Sequence, residues 1–228
     1  MPGNKWQASI ENITRTLYDP PMPDVAHLLD RKSHRRRPAP GVAFLGDLTL
    51  DRGRVHEACG SARRRLALMV AGALQGPIFW IRPSWMPVHL NPEGMVRLVD
   101  PARLIFVTPK RPEDLLWTME EVLRAGLVPL TVADLPEPPG LTAVRRLHLA
   151  AETGAAEGRC VPLGLLLTPG AGGAPGVETR WSLTPNHGEN GHEAWVLDRL
   201  RARMQPEKTW QVTGGKGGPR LDSPGPRS

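Results

Sequence analysis

The chain has 228 residues, 40% of them hydrophobic, with a formal net charge of +6. That length suits one sizeable core with irregular ends and excludes two full domains. No apolar leader region opens the sequence, and the most apolar run, LALMVAGAL, is far too short to cross a bilayer, so composition excludes secretion and membrane insertion and implies a cytoplasmic protein.

The basicity is local. Arg31, Lys32, Arg35, Arg36 and Arg37, together with Arg63, Arg64 and Arg65, carry eight positive charges, and the remainder of the chain sums to −2. The 25 prolines and 24 glycines crowd the first 50 residues, the 169–192 stretch and the tail after Gly214, where no apolar period can be sustained. This divides the chain into a flexible basic arm (1–41), an α/β domain (42–213) and a disordered tail (214–228). The RKSHRRR run in the arm reads either as a solvated face or as a DNA or anion contact that neutralises phosphates and is weakened by salt.

After the arm, VAFLGDLTL leads into a first strand near Arg54–Ala58. A glycine turn follows, and a helical apolar pattern then runs to Leu74 with Ser61 as its expected cap. This strand, turn and helix have the outline of a phosphate loop without its chemistry. A working G-x-x-x-x-G-K-[ST] loop wraps phosphates with backbone N–H groups, sets a lysine on the β/γ oxygens and gives a hydroxyl to Mg²⁺. Here the turn holds only Gly60, Ser61, Ala62, Arg63, Arg64 and Arg65, so it is too short to encircle a triphosphate and lacks the Gly-Lys-Ser/Thr ending.

A strand is expected after Pro77 (IFWIR), then a proline-broken loop, PSWMPVHLNPEG. In that loop Trp85 and Met86 read either as packing on their own core or as a protein interface, because Trp and Met are enriched at interface centres. Leu104–Thr108 is a continuous apolar strand of the kind found inside parallel sheets. Pro112 opens a helix whose Leu115, Leu116, Met119, Val122 and Leu123 form one apolar stripe, and Gly126 closes it. Val128–Ala133 reads as a strand, Leu141–Thr153 as a helix with Ala143, Leu147 and Ala150 on one face, and Val161–Leu167 as another strand. Short buried strands alternating with such helices imply a mainly parallel α/β sheet covered on both faces. Beyond Pro169, TRWSLTP alternates like a strand. EAWVLDRLRARM followed by KTWQVTG fits a helix and a strand or an antiparallel hairpin, and local pattern slightly favours the helix.

The segments GRVHEACG, DPARLIFVTPKRPEDLLWTMEEVLRAG, LTAVRRLHLAAETG, PLGLLLTP and ETRWSLTP, in that order and spacing, resemble the ImuA family of SOS mutagenesis accessories, which is related to the division inhibitor SulA and to the RecA core. The resemblance runs from about Leu48 to Val212. It implies a RecA-like core with a degenerate P-loop, in which Val55–Cys59 is the strand before the phosphate loop and Asp134 stands at a vestigial Walker B position. Ile81, Arg82 and Pro83 occupy the place of the catalytic glutamate in active relatives, so no water-activating constellation is expected. It also implies an antiparallel hairpin over 193–213. The function implied is non-catalytic assembly in translesion synthesis with an ImuB-type inactive polymerase relative and a DnaE-type error-prone polymerase, with a RecA filament or DNA as further partners. The same resemblance admits a SulA-like inhibitor of FtsZ, or a divergent ATPase using Asp134 and the arginines.

Other constellations carry less. Cys59 and Cys160 lie far apart, border apolar strand patterns and are expected as buried free thiols. His187 and His192 sit on a Gly/Asn-rich loop beside Glu189 and Glu193, without zinc spacing or cysteines, and read as a solvated loop. His148 is expected as a partly buried packing residue. Arg63–Arg65 open a helix whose dipole favours an anion, although adjacent helical side chains diverge by about 100° and at most two could converge on one ligand. No catalytic residue, metal or cofactor is expected.

Overall fold

The computed structural model describes residues 41–87, 89–188, 192–215 and 217–222. The basic run Arg31–Arg37 and almost all of the expected arm lie outside the described residues. The elements are β1 (Val42–Leu45), β2 (Leu48–Leu50), β3 (Val55–Cys59), α1 (Arg63–Gly72), β4 (Ile78–Ile81), α2 (Pro92–Met95), β5 (Leu104–Val107), α3 (Pro112–Ala125), β6 (Leu130–Asp134), α4 (Leu141–Glu157), β7 (Leu163–Leu167), β8 (Thr179–Pro185), β9 (Ala194–Ala202), β10 (Lys208–Thr213) and β11 (Arg220–Asp222). A 3₁₀ turn, Pro101–Arg103, leads into β5.

Among the described residues nine strands form one sheet in the order β11-β10-β9-β8-β3-β7-β6-β4-β5. From β8 to β5 the neighbours run parallel, and β9, β10 and β11 continue the sheet antiparallel. The fold is therefore α/β, with a mostly parallel sheet flanked by helices and antiparallel C-terminal strands. β3, β6 and β7 are buried at every position; β7, LGLLL, is a continuous apolar run, while β3 and β6 bury polar residues as well.

Each face of the sheet has its own core. α1 and the β1–β2 hairpin cover one face, burying Leu66, Met69 and Val70 against Trp80, Val132, Leu165 and Trp181. α3 and α4 cover the other, where Leu115, Met119 and Leu123 meet Val144, Leu147 and Ala151. On α4 it is Val144 that is buried, while Ala143 is only half covered. The two helices cross closely because their contact is made of glycine. A Cβ added at Gly154 would lie 2.0 Å from the Leu123 carbonyl oxygen.

Five local expectations are corrected. VAFLGDLTL is not a lead-in to β3 but the β1–β2 hairpin, turning at Gly46. Ser61 does not cap α1. The N-cap is Ala62, whose methyl side chain has no acceptor with which to cap, and its N–H is given to the Leu183 carbonyl of β8 at 3.0 Å. The proline-broken loop contains α2, capped by the Asn91 side chain, which accepts from Glu93 N–H. The helix that local pattern favours for EAWVLDRLRARM gives way to the antiparallel hairpin that the resemblance implies, β9 paired with β10. Trp195, Leu197 and Arg199 are buried at alternate positions, a period of two that pays off only when β8 and β10 lie on either side. Finally, the expected disordered tail contributes β11, which pairs with β10 through Gln211↔Asp222, Val212↔Leu221 and Thr213↔Arg220.

Candidate functional site

The carboxyl ends of parallel strands are where open α/β sheets keep their ligand sites. In this chain the ends of β3, β6 and β4 bring together the turn Gly60–Ala62, the N-terminus of α1, Asp134 and the segment after Ile81.

The turn is closed on its own protein. Gly60 takes a φ of +83°, and a Cβ there would lie 2.5 Å from the Leu183 carbonyl oxygen, so only glycine fits. Its N–H donates to the Gly170 carbonyl at 2.9 Å, and Ala62 N–H donates to Leu183 at 3.0 Å. Two amides that could face an anion are thereby spent on the loop after β7 and on β8. Ser61 is exposed.

The three arginines diverge, as helical spacing requires, and each reaches a different element. Arg64 Nε donates to Asp134 Oδ2 at 2.5 Å, and its terminal nitrogen lies 3.2 Å from Met86 Sδ. Arg63 places Nε 3.9 Å from Asp134 Oδ1 and its terminal nitrogen 3.4 Å from the Gly60 carbonyl. Arg65 lies over the Trp195 ring, 3.9 Å from its centroid, and donates to Glu193 Oε2 at 3.1 Å. Burial pulls the Arg63 and Arg65 guanidinium pKa values down from the usual range, with the carboxylates of Asp134 and Glu193 opposing that shift. The run thus ties α1 to β6, to the segment after β4 and to the start of β9.

Asp134 is 2% exposed. Its charge is met by a guanidinium of its own chain. Arg82 turns to the Met86 carbonyl at 3.3 Å and to His89 Nδ1 at 3.0 Å. Met86 is half-buried beneath these contacts, whereas Trp85 stays 47% exposed.

Two buried groups on β3 went unnoticed in the sequence. Glu57 is fully buried and accepts from the Thr168 hydroxyl at 2.6 Å, Gly173 N–H at 2.8 Å, Ala174 N–H at 3.1 Å and Arg180 Nε at 2.5 Å. Arg180 also donates to the Ala174 carbonyl, so this carboxylate pins the Gly/Pro-rich loop after β7 to β8. His56 is fully buried too. Its Nε2–H donates to the Asp51 carbonyl at 2.9 Å, and its Nδ1 accepts from the Thr179 hydroxyl, which in turn accepts from Trp181 Nε1–H. Burial lowers the His56 pKa to about 4 and holds the ring neutral. The signal for both was a His-Glu pair inside an otherwise apolar strand, where a polar residue must bring its partners with it.

The remaining candidates have ordinary surroundings. Cys59 is buried and free, its thiol pushed up to about 11 by burial, and Cys160 is half-buried and free. His148 donates from Nε2 to the Gly176 carbonyl at 3.1 Å. His187 packs edge-on against Trp195, and Glu193 is held by Arg65. Among the described residues no group of three or more His, Cys, Asp and Glu side chains could hold a metal ion, and no helix is long and apolar enough to cross a membrane.

No protein-family model matches the chain, and no curated protein matches it.

Proposed function

We propose that this domain is a RecA-like core that has given up nucleotide chemistry and serves as a non-catalytic adaptor in SOS-induced translesion DNA synthesis, assembling with an ImuB-type inactive polymerase relative and a DnaE-type error-prone polymerase. The observation that carries the first half is the closure of the turn after β3, with Gly60 and Ala62 donating to Gly170 and Leu183 and Asp134 held by Arg64. In a working P-loop protein those amides, a lysine and a metal-holding aspartate all face the nucleotide.

The placement of Asp134 supports the vestigial Walker B reading. It ends β6, lies beside the helix that follows the turn, and turns its carboxylate to Arg63 and Arg64. The role in translesion synthesis rests on the resemblance of the quoted segments to ImuA. An adaptor needs surface and not catalysis, and the half-exposed Trp85 at the strand ends is one place where it can offer an anchor.

Thermal unfolding with and without ATP and Mg²⁺ tests the closed turn, because any ligand selective for the folded state raises its stability. Unchanged melting at millimolar nucleotide is the expected result, and a shift of several degrees overturns it in favour of a divergent ATPase. Co-purification with an ImuB-type protein tests the adaptor role, and failure to bind removes it. Inhibition of FtsZ polymerisation by the purified protein would move the assignment to a SulA-like inhibitor.

A further inference from the structure

The edge of the sheet at β5 is unlike the edge at β11. Among the described residues β5 pairs with β4 alone, and all four of its side chains are apolar: Leu104, Ile105, Phe106 and Val107. Ile105 is 43% exposed and Phe106 47% exposed, on opposite faces of the strand. Phe106 aligns with Trp80 on the α1 face, and Ile105 aligns with Phe79 on the α3 face. Natural edges are blunted by charge, bulges or cover, so a fully apolar edge is a template for a further strand.

The direction of the free backbone groups follows from their neighbours. The Val107 carbonyl accepts from Arg82 N–H at 3.0 Å and the Pro109 carbonyl from Ser84 N–H at 3.1 Å, so odd-numbered positions turn inward. Strand alternation then turns the Leu104 carbonyl and the N–H and C=O groups of Phe106 and Thr108 outward, while Leu104 N–H closes the preceding 3₁₀ turn on the Pro101 carbonyl.

We propose that β5 is the surface through which two copies of this chain pair, antiparallel about a two-fold axis at Ile105, into one sheet continuous across a dimer. A two-fold axis perpendicular to the sheet keeps each face on its own side. It sets Ile105 against Ile105 of the second copy, and Leu104 against Phe106 of the second copy on the α1 face. Phe106 N–H of each copy then donates to the Leu104 carbonyl of the other, one bond on either side of the axis, and Ile105 forms the close non-hydrogen-bonded pair between them. Charge agrees with this orientation. Asp100 is exposed before the strand and Lys110 is exposed after it, so antiparallel copies bring opposite signs together at both ends. Arg103, the other charge before the strand, is turned back onto the Leu74 and Gly76 carbonyls.

The opposite edge rules out a chain of copies. β11 presents Arg220 and Asp222 on one face, and joining it to β5 would set both charges against apolar side chains, on either the Leu104 and Phe106 side or the Ile105 and Val107 side. Pairing β5 with itself closes the assembly at two copies. Pro101 and Pro109 bound the edge and limit it to a few bonds, so the dimer dissociates on dilution.

Sedimentation velocity of the full chain over roughly a hundredfold dilution in the micromolar range is the test, with a dimer expected to give way to monomer. Ile105→Lys and Ile105→Glu each place like charges opposite one another and should be monomeric at every concentration, with circular dichroism and melting close to wild type. Mixed together, the two variants should form a heterodimer. Should the charged variants fail to fold, Ile105→Thr, which keeps a β-branched strand former, should weaken the dimer. A wild-type chain that stays monomeric overturns the proposal and gives the edge to another occupant, such as an extended strand of a different protein. A dimer indifferent to all three substitutions overturns it as well, and folded charged variants that stay monomeric when mixed overturn the register.

Discussion

Two carboxylates are buried on the strands of this sheet, and they are held in opposite ways. Glu57 lies within β3 and takes four donors from β8, Thr168 and the loop after β7, so both of its oxygens are satisfied. Asp134 lies at the rim, at the end of β6. Arg64 satisfies Oδ2, while Oδ1 has only Arg63 at 3.9 Å. The first arrangement staples a loop to the sheet. The second fills a place where sheets of this class take ligands, and fills it with side chains that themselves reach solvent. The contrast separates a buried charge that fastens a loop to the sheet from one at a strand end that is met only by the arginines opening α1.

The largest effect should come from breaking the staple. Glu57→Ala leaves Arg180 without its carboxylate and two loop amides unpaired, and should cost about 3–5 kcal/mol in chemical denaturation. A loss below about 1 kcal/mol would mean that the loop after β7 is held by other contacts and that the two carboxylates are alike.

The neighbour of Glu57 supplies a pH test of the same core. His56 is neutral and its folded pKa is depressed to about 4 from 6.5, so the unfolded chain binds a proton more readily. The contribution is fully present above pH 6.5 and is lost as pH falls from 6.5 towards 4, amounting to about 3 kcal/mol at most. Stability measured by denaturation at several pH values should fall over that window, and the fall should be much reduced in His56→Gln. A flat profile in the wild-type chain would show that His56 reaches water when protonated.

At the rim the effects should be smaller and unequal. Arg64→Ala leaves Asp134 buried beside a guanidinium that is too distant to hydrogen-bond, at a cost of about 1–3 kcal/mol. Asp134→Ala leaves Arg64, whose side chain is 23% exposed and can turn to water, and should cost less. The double variant should resemble Arg64→Ala with much of its cost removed. Equal losses from the two single changes would place Asp134 with Glu57 as a staple. The smallest effect is expected from nucleotide, since wild-type melting should not respond to ATP and Mg²⁺. If Arg64→Ala melted higher with nucleotide while the wild type did not, the rim would still be a ligand site blocked by its own arginine.

How much of this was legible varies with distance along the chain. The apolar stripe Leu115, Met119, Leu123 and the closing Gly126 announce α3, and the buried runs of β6 and β7 announce the interior of a parallel sheet, because each pattern is complete within one element. Serine after glycine before a helix satisfies the local rule for a cap, but the helix begins one residue later, with Ala62 at the N-cap and its N–H on the Leu183 carbonyl of β8. The Ala194–Ala202 segment suits a helix when read alone and becomes a strand because two neighbouring strands supply its ladder. Glu57 was visible as a charge in an apolar strand, while its partner Arg180 lies 123 positions away.

By itself, the sequence determined the alternation of buried strands with amphipathic helices, and it determined that residues 60–65 contain neither the lysine nor the following hydroxyl that a phosphate loop requires. Both depend only on which residues stand next to one another. The tertiary structure alone decided that Arg64 meets Asp134 across 70 positions, that Arg65 meets Glu193 across 128, and that the amides of Gly60 and Ala62 are spent on Gly170 and Leu183. A guanidinium or an amide takes whichever acceptor the packed elements bring within reach, and no local pattern specifies which element that will be.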